Sequence, residues 1–435
     1  MRAADGGGAG AAIDPARLFA RWSGEGALAL AVSGGADSLA LMLLAARWRD
    51  GGAAPRLIVL SLDHGLRPEA AAEVAMVGRV AASLGLPFRA LAADTSLPPS
   101  DIEAAARALR YRLLGAAARE AGASVLMTAH HADDQAETVM LRLARGSGIY
   151  GLAAMEPETE RDGLRIARPL LVLRHADLAA MVSRAGLEPV ADPHNEDGRF
   201  ARARMRALMP RLAAEGLDTP RLVATAARFR SAALAIDAYV ERLFATAAVI
   251  DEAGGVRLDV AAALAEPEET LLRAVSRILR AVGGSTYPPR LSGIGALVAA
   301  MANDGEPLKR TVAGVVVDRR KGLFRFQREA GRDGLPEMAV AGGFDAVWDG
   351  RFAVTIAGAP PGARLGALGV DGRRAVRGCI VDALPLALAA TPALIGPEGI
   401  IAAPLAGVAP PDGISFTTRS IVKDRLLDRS RSDDL

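Results

Sequence analysis

From residue 26 onward the first half of the chain alternates short apolar runs with amphipathic helical patterns, and this rhythm constrains the fold more than any other feature. Parallel strands need a crossover of a dozen or more residues, normally a helix, so the alternation predicts an α/β fold with a doubly wound, mostly parallel, Rossmann-like sheet. GALALAV (26–32), RLIVLSL (56–62), PFRALAA (87–93) and SVLMTA (124–129) read as its strands. Between the first two, Leu39, Met42, Leu43 and Ala46 recur at i, i+3, i+4, i+7 and give the intervening helix an apolar face. A helix with Val74, Val77, Ala81 and Leu84 follows the second strand, and one from about Asp101 precedes the fourth.

After Pro210 the strand signal stops. Long Ala/Leu/Arg helices are expected over about 221–249 and 268–282, followed by a β-hairpin in which TVAGVVV and LFRFQ flank the turn-forming DRRKG. GRDGLPEM (331–338) reads as a linker and the Gly/Pro-rich remainder as a small β-rich domain. A chain of 435 residues has room for such a plan: an α/β domain over 1–215, a helical domain with a hairpin over 216–330 and a β-rich domain over 338–435.

Composition removes several function classes. The lone Cys379 excludes a disulfide framework within one chain, and no CxxC pair is available for a zinc site, an iron–sulfur cluster or persulfide chemistry. MRAADGGGAGAAID lacks the apolar core of a signal peptide, and no stretch approaches the roughly 18 apolar residues of a membrane span, so a cytoplasmic protein is expected. With a net charge of only +2, an RNA partner would have to be met by local basic patches.

Ser33-Gly34-Gly35-Ala36-Asp37-Ser38 sits directly after the first strand and opens the first helix. Glycines there let the backbone bring several N–H groups toward an anion, and the helix N-terminus adds its partial positive charge. Ser33 and Ser38 can donate hydroxyls to phosphate, and Asp37 can hold a bridging divalent cation. The segment is neither a Walker A loop nor a GxGxxG fingerprint. Taken alone, it also fits an ordinary strand-to-helix turn.

Four further blocks follow in order: SLDHGLRPEAAAE (61–73), IEAAARALRYRLL (102–114), TAHHADDQAETVMLRLARGSGIYGLAAM (128–155), and RPLL (168–171) with DPHNEDGRFARARMRALMP (192–210). Together with SGGADS they resemble the N-type ATP pyrophosphatases of the PP-loop class and, within it, the tRNA(Ile)-lysidine synthetases. The resemblance implies that ATP, with Mg2+, adenylylates the wobble cytidine of an isoleucine tRNA carrying a CAU anticodon. The side-chain amine of L-lysine would then displace AMP. It also implies residue roles: Ser33, Gly34, Gly35, Ala36, Asp37, Ser38, Asp63 and His64 for ATP, and Asp37 for the metal. Arg110, Asp134 and Glu137 would take lysine and, with Asp37 and His130, form the catalytic set. Arg202 and Arg206 would meet tRNA; the family's RNxxR element appears as Arg202-Ala203-Arg204-Met205-Arg206, with Ala203 in place of Asn.

The residues themselves admit these roles alongside plainer ones. Asp134 and Glu137 lie three apart on a helix face opposite Ala136, Val139, Met140 and Leu143, which suits a cationic amino acid but also fits a capping box opened by Asp134. Arg107 and Arg110 share a helical face and either could clamp a carboxylate or phosphate, while Arg107 also fits pairing with Glu103; the resemblance favours Arg110, which with Tyr111 matches the family's RY element. His64 and His130 follow strand ends, where sheets of this topology place their sites. His131 and His194 read as local hydrogen-bonding residues, His175 has no assigned role, and no HxxxH or HExxH spacing announces a metal site. Arg199 to Arg230 contains eight arginines against Glu215 and Asp218, and Lys309 to Arg332 is a second basic region; either could track an RNA backbone or simply be a solvated face. A tRNA thiolase would need more cysteine, and a non-catalytic RNA-binding protein would leave Asp37, Asp134 and Glu137 without a purpose. Whether two copies form a homodimer stays open.

Overall fold

A computed structural model describes residues 13–428 of the chain except 53, 64, 66–68, 94–101, 162, 191–197, 288, 304–306, 332–333 and 377–381, with residues 102–107 as backbone only. His64, His194, Cys379 and the Arg107 side chain therefore lie outside the described residues. The chain divides into two compact units, Met1–Ser231 and Ala232–Leu435. Among the described residues no helix is long and apolar enough to cross a membrane.

The first unit runs α1 (Pro15–Phe19), β1 (Ala27–Ala31), α2 (Ala36–Asp50), β2 (Arg56–Asp63), α3 (Ala70–Ser83), β3 (Phe88–Ala92), α4 (Ile102–Glu120), β4 (Val125–Met127) and α5 (Ala132–Ala144). It continues with α6 (Ile149–Leu152), β5 (Glu158–Arg161), β6 (Leu164–Ala167), α7 (His175–Arg184), α8 (Ala201–Ala214) and the start of α9 (Thr219–Ala247). The strands form one sheet in the order β3-β2-β1-β4-β6-β5. Every neighbouring pair is parallel except β5 with β6. All four expected strands are present within a residue or two of the expected limits.

Successive β1 residues point to opposite faces, and both faces are covered. Leu28 and Leu30 join a core with α2, α3 and α7 through Leu39, Met42, Val77 and Leu178. Ala27 and Ala29 join a second core with α4 through Tyr111, Leu114 and Ala118. The expected apolar stripe on α2 is in fact a helix buried nearly all round, from Ser38 to Ala46, because β1, α1 and α7 all pack against it. The hairpin β5–β6 was not expected; its strands, ETER and LRIA, are too short and too charged to stand out. Chain order reverses across β1, with β2 on one side and β4 on the other, so a crevice is due at the C-terminal ends of β1 and β4.

The second unit opens with the rest of α9 and continues with β7 (Ala248–Ile250), β8 (Val256–Asp259), α10 (Val260–Ala265), α11 (Glu268–Gly283), α12 (Leu291–Ala302), β9 (Lys309–Val312), β10 (Val315–Arg320) and β11 (Leu323–Arg328). They build an antiparallel sheet, β7-β8-β11-β10-β9. The expected hairpin is β10–β11, turning at Lys321 and Gly322, whose φ values of 51° and 74° match the right-handed strand twist. Its expected first strand TVAGVVV is broken at Ala313 and Gly314 into β9 and β10, and Asp318–Arg320 extend β10 instead of turning. The short β7 and β8 were not expected.

A β-rich remainder follows, as the sequence predicts: β12 (Met338–Ala339), β13 (Gly343–Trp348), β14 (Phe352–Ala357), β15 (Arg364–Ala367), α13 (Gly369–Ala375), α14 (Pro385–Ala389), β16 (Pro392–Gly396), β17 (Gly399–Ala402), β18 (Ser415–Ser420) and α15 (Val422–Leu427). Its sheets are β12-β15-β16-β17 and β13-β14-β18. After β18 the chain returns to the first sheet of this unit: Val422 and Leu426 are buried in the core formed by α11, β8, β10 and β11. The buried Arg277 of α11 donates to the Leu426 carbonyl from Nε and Nη2 at 3.0 and 2.6 Å.

Candidate active site

The loop after β1 is shaped by its own residues. Gly34 has φ of 91°, which favours glycine, and a Cβ there would crowd Val190 at 3.1 Å and Met76 at 3.2 Å. Gly35 is the N-cap of α2, and among the described residues the nearest atom to where its Cβ would be is the Ser33 hydroxyl, at 3.8 Å. Ser38 is buried and pins the turn: its hydroxyl donates to the Gly35 carbonyl at 2.9 Å and accepts from the Ser33 N–H at 3.2 Å. Ser33 is exposed.

Because β1 and β4 are parallel neighbours, the helices that leave them start side by side, and α7 brings a third N-terminus to the same place. Asp37, in the first turn of α2, lies 2.8 Å through Oδ1 from His175 Nδ1 and 3.5 Å through Oδ2 from His131 Nε2. The donor atoms of Asp37, His131 and His175 lie within 4.8 Å of one another. Burial disfavours the Asp37 charge, but bonds from the two imidazoles, and their field when protonated, hold its pKa well below the usual carboxylate range. His131 moves up: burial opposes its charge, and the bond to Asp37 and the fields of Asp134, Asp37 and Asp133 outweigh that. His175 moves up chiefly through its bond to Asp37.

Asp133 ties these helix starts together, accepting from the His175 N–H at 2.8 Å, Arg174 Nε at 2.9 Å and the Thr219 hydroxyl at 2.8 Å. His131 thus makes the local hydrogen bond expected of it but also reaches Asp37, where His175, to which the sequence assigned no role, joins it. Spacing hid them because the three groups arrive on three different helices; the available signal was that each opens a helix following a strand or the RPLL segment.

The start of α5 also corrects an expectation. Its capping box is His131 with Asp134, not Asp134 with Glu137. Asp134 Oδ2 accepts from the His131 N–H at 3.1 Å, and the Asp134 N–H reaches His131 Nδ1 at 3.4 Å. Glu137 sits a turn further on and does not face solvent: its side chain is 3% exposed beneath α8. Arg206 donates to it from Nε at 2.8 Å and from Nη2 at 3.3 Å, and Arg202 Nε stands 3.4 Å away. Arg206 also lies 4.0 Å from Asp134. The two residues assigned to tRNA are thus brought onto the two carboxylates assigned to lysine. Leu143, expected on the core face, is 53% exposed.

Of the remaining candidates, Asp63 and His130 lie at the ends of β2 and β4, on either side of β1, and the others on helices. Asp63, ending β2, accepts from the Gly65 N–H at 2.8 Å through Oδ1. His130 Nδ1 is 2.9 Å from the Thr128 hydroxyl. Arg110 is half-buried on α4, beside Tyr111, whose buried ring carries the Arg161 guanidinium at 5.0 Å. Ala203 is half-buried on α8.

Residues 12–212 match the PP-loop domain family. The tRNA(Ile)-lysidine synthase of Rhodopseudomonas palustris is 47% identical over 321 residues, covering 70% of this chain and 91% of that protein. The enzyme of that name from a Bradyrhizobium species is 45% identical over 72% of this chain and 93% of the relative. The one from Ruegeria pomeroyi is 35% identical and spans 88% of this chain and 89% of its own length. A phosphate loop at the switch point of a parallel sheet, with close identity across nearly the whole of these relatives, places the chain in the tRNA(Ile)-lysidine synthase family.

Proposed function

We propose that the enzyme is an AMP-forming carbon–nitrogen ligase acting in the cytoplasm. It would transfer the adenylyl group of ATP to the wobble cytidine of an isoleucine tRNA with a CAU anticodon, releasing pyrophosphate. The lysine side-chain nitrogen would then bond to the activated base as AMP leaves with the bonding electron pair. The observation that carries this reading is His131, whose Nε2 lies 3.5 Å from both Asp37 Oδ2 and Asp134 Oδ2, so one ring joins the phosphate loop to the carboxylate pair.

On this reading the N–H groups at the start of α2 receive the phosphates. Asp37 suits Mg2+, which prefers oxygen ligands and commonly takes one or two carboxylates together with substrate phosphates; when bound it would neutralise charge on the phosphoryl oxygens. The two imidazoles orient the Asp37 carboxylate. Asp134 and Glu137 would receive the lysine ammonium and accept the protons it sheds as its nitrogen becomes a nucleophile.

The test is AMP release from ATP with bulk tRNA, with and without lysine and with and without the isoleucine species. AMP formation that requires both supports the assignment. Release that ignores lysine removes it.

A further inference from the structure

We propose that Arg202 and Arg206 are positioning residues for the lysine site: in the ligand-free protein their guanidinium groups stand where the lysine ammonium must go, and tRNA phosphates draw them away. Lysine would then bind well only after tRNA. This inference rests on the reading of Asp134 and Glu137 as the lysine carboxylates.

Three observations point the same way. Charge is already balanced without substrate, since two carboxylates face two guanidinium groups, and an added ammonium would leave an excess positive charge at a nearly sealed carboxylate. The same arrangement makes access one-sided. The Glu137 side chain is 3% exposed and Asp134 14%, whereas Arg202 and Arg206 are 39% and 46% exposed. A phosphate can reach the arginines from solvent, but an ammonium cannot reach Glu137 while Arg206 holds both of its oxygens.

The second observation is that Arg202 is held imperfectly. Among the described residues its Nε is buried without a hydrogen bond, though 3.4 Å from Glu137, and its Nη2 makes a 3.3 Å bond to the Thr138 hydroxyl. A buried donor left unsatisfied favours any arrangement that pairs it. The third is α8 itself. ARARMRALMPRLAA carries four arginines, no acidic residue and no buried residue, so it presents positive charge to solvent. Phosphate accepts a guanidinium in bidentate fashion and competes directly with the carboxylate.

The consequence is an order of events: the amine is kept out until the nucleotide to be modified is present. Linkage makes the effect reciprocal, so lysine must strengthen tRNA binding by the same factor.

The experiment is equilibrium binding of labelled L-lysine to the full chain, without ATP, in the presence and absence of the isoleucine tRNA transcript. Wild type should bind lysine roughly tenfold or more tightly with tRNA. Arg206→Gln, and independently Arg202→Gln, should bind lysine more tightly than wild type in the absence of tRNA and respond less to its addition. Melting temperatures confirm folding, and two separate variants guard against the loss of one. A merely structural clamp predicts unchanged or weaker lysine binding in both variants; that result, or wild-type affinity indifferent to tRNA, overturns the proposal. Glu137→Gln separates the two readings. If that variant binds lysine like wild type in the presence of tRNA, the assignment of the lysine site has failed, whatever the arginines do.

Discussion

Asp37 and Glu137 lie in one site, yet they are held in opposite ways. Asp37 keeps 28% of its side chain exposed and is bracketed by two imidazoles, groups that can change charge and shift aside. Glu137 is 3% exposed and is gripped by two guanidinium groups that stay charged at any accessible pH. The first arrangement fixes the direction of a carboxylate while leaving it open to an incoming cation. The second neutralises a carboxylate until something removes its cover. One site thus contains a standing half, the phosphate loop, and a covered half, the carboxylate pair.

Experiments can break that contrast at several points. Asp37→Ala should have the largest effect, lowering pyrophosphate release about 10³-fold or more, equivalent to ~4 kcal/mol, because charge on the transferred phosphoryl group loses its anchor. Binding of tRNA, followed by filter retention, should survive. Wild-type pyrophosphate release by this variant would end the assignment of the loop.

Glu137→Gln comes next. Its half-saturating lysine concentration in the AMP-release assay should rise about 10- to 100-fold, as expected when a charged hydrogen-bond partner is lost. Pyrophosphate release with tRNA should persist, since Asp37 is untouched. If both steps fall together in a folded variant, the two halves are not separable in the way the burial pattern implies.

His175→Gln should be milder. The ring is half exposed, so losing its bond to Asp37 should slow adenylylation roughly threefold to tenfold with little change in melting temperature. His131→Ala should slow it too, but also lower stability by about 1 kcal/mol, because His131 caps α5. Equal stability losses in the two would deny them their different places.

The smallest expected effect is on a carboxylate outside the site. Glu158 accepts from Arg165 Nε at 2.7 Å and from the Trp22 ring nitrogen at 2.9 Å. Burial works to raise its pKa, but those bonds outweigh it and the value falls below the usual range. A depressed carboxylate contributes stability that is present above its unfolded pKa and lost as pH falls through the folded one. Melting temperature should therefore drop less on acidification in Glu158→Gln than in wild type. Identical pH profiles would show that this pair adds nothing to the fold.

How much of this was legible in the sequence depends on what kind of information each feature needed. Strands β1, β2 and β4 were legible because largely buried strands read as apolar runs, the edge strand β3 through its place in the alternation, and the loop because glycine, serine and aspartate sit where a strand becomes a helix. Short, charged β5 and the brief β7 and β8 carry no such period. The gathering of His131 and His175 on Asp37 depends on strand order, which brings three helix starts together, and no spacing rule encodes that. The burial of Glu137 depends on α8, supplied far downstream. Seen from α5 alone, Glu137 lies on the polar side of an ordinary amphipathic helix; only the arriving arginines turn that side into an interior.

The return of α15 bears on the timing of folding as the chain is made. Arg277 and its acceptor at Leu426 are 149 positions apart, and Val422 and Leu426 fill the core under α11. The second unit therefore cannot close that core when α11 and its sheet leave the ribosome. It must wait for residues 422–427, with apolar surface on α11 meanwhile available to chaperones or to a neighbouring nascent chain. Among the described residues the apolar clusters of the first unit contain none beyond Ala226, so that unit can fold during that interval. A stop codon shortly before residue 422 would accordingly leave the second unit's core open rather than merely shorten its end.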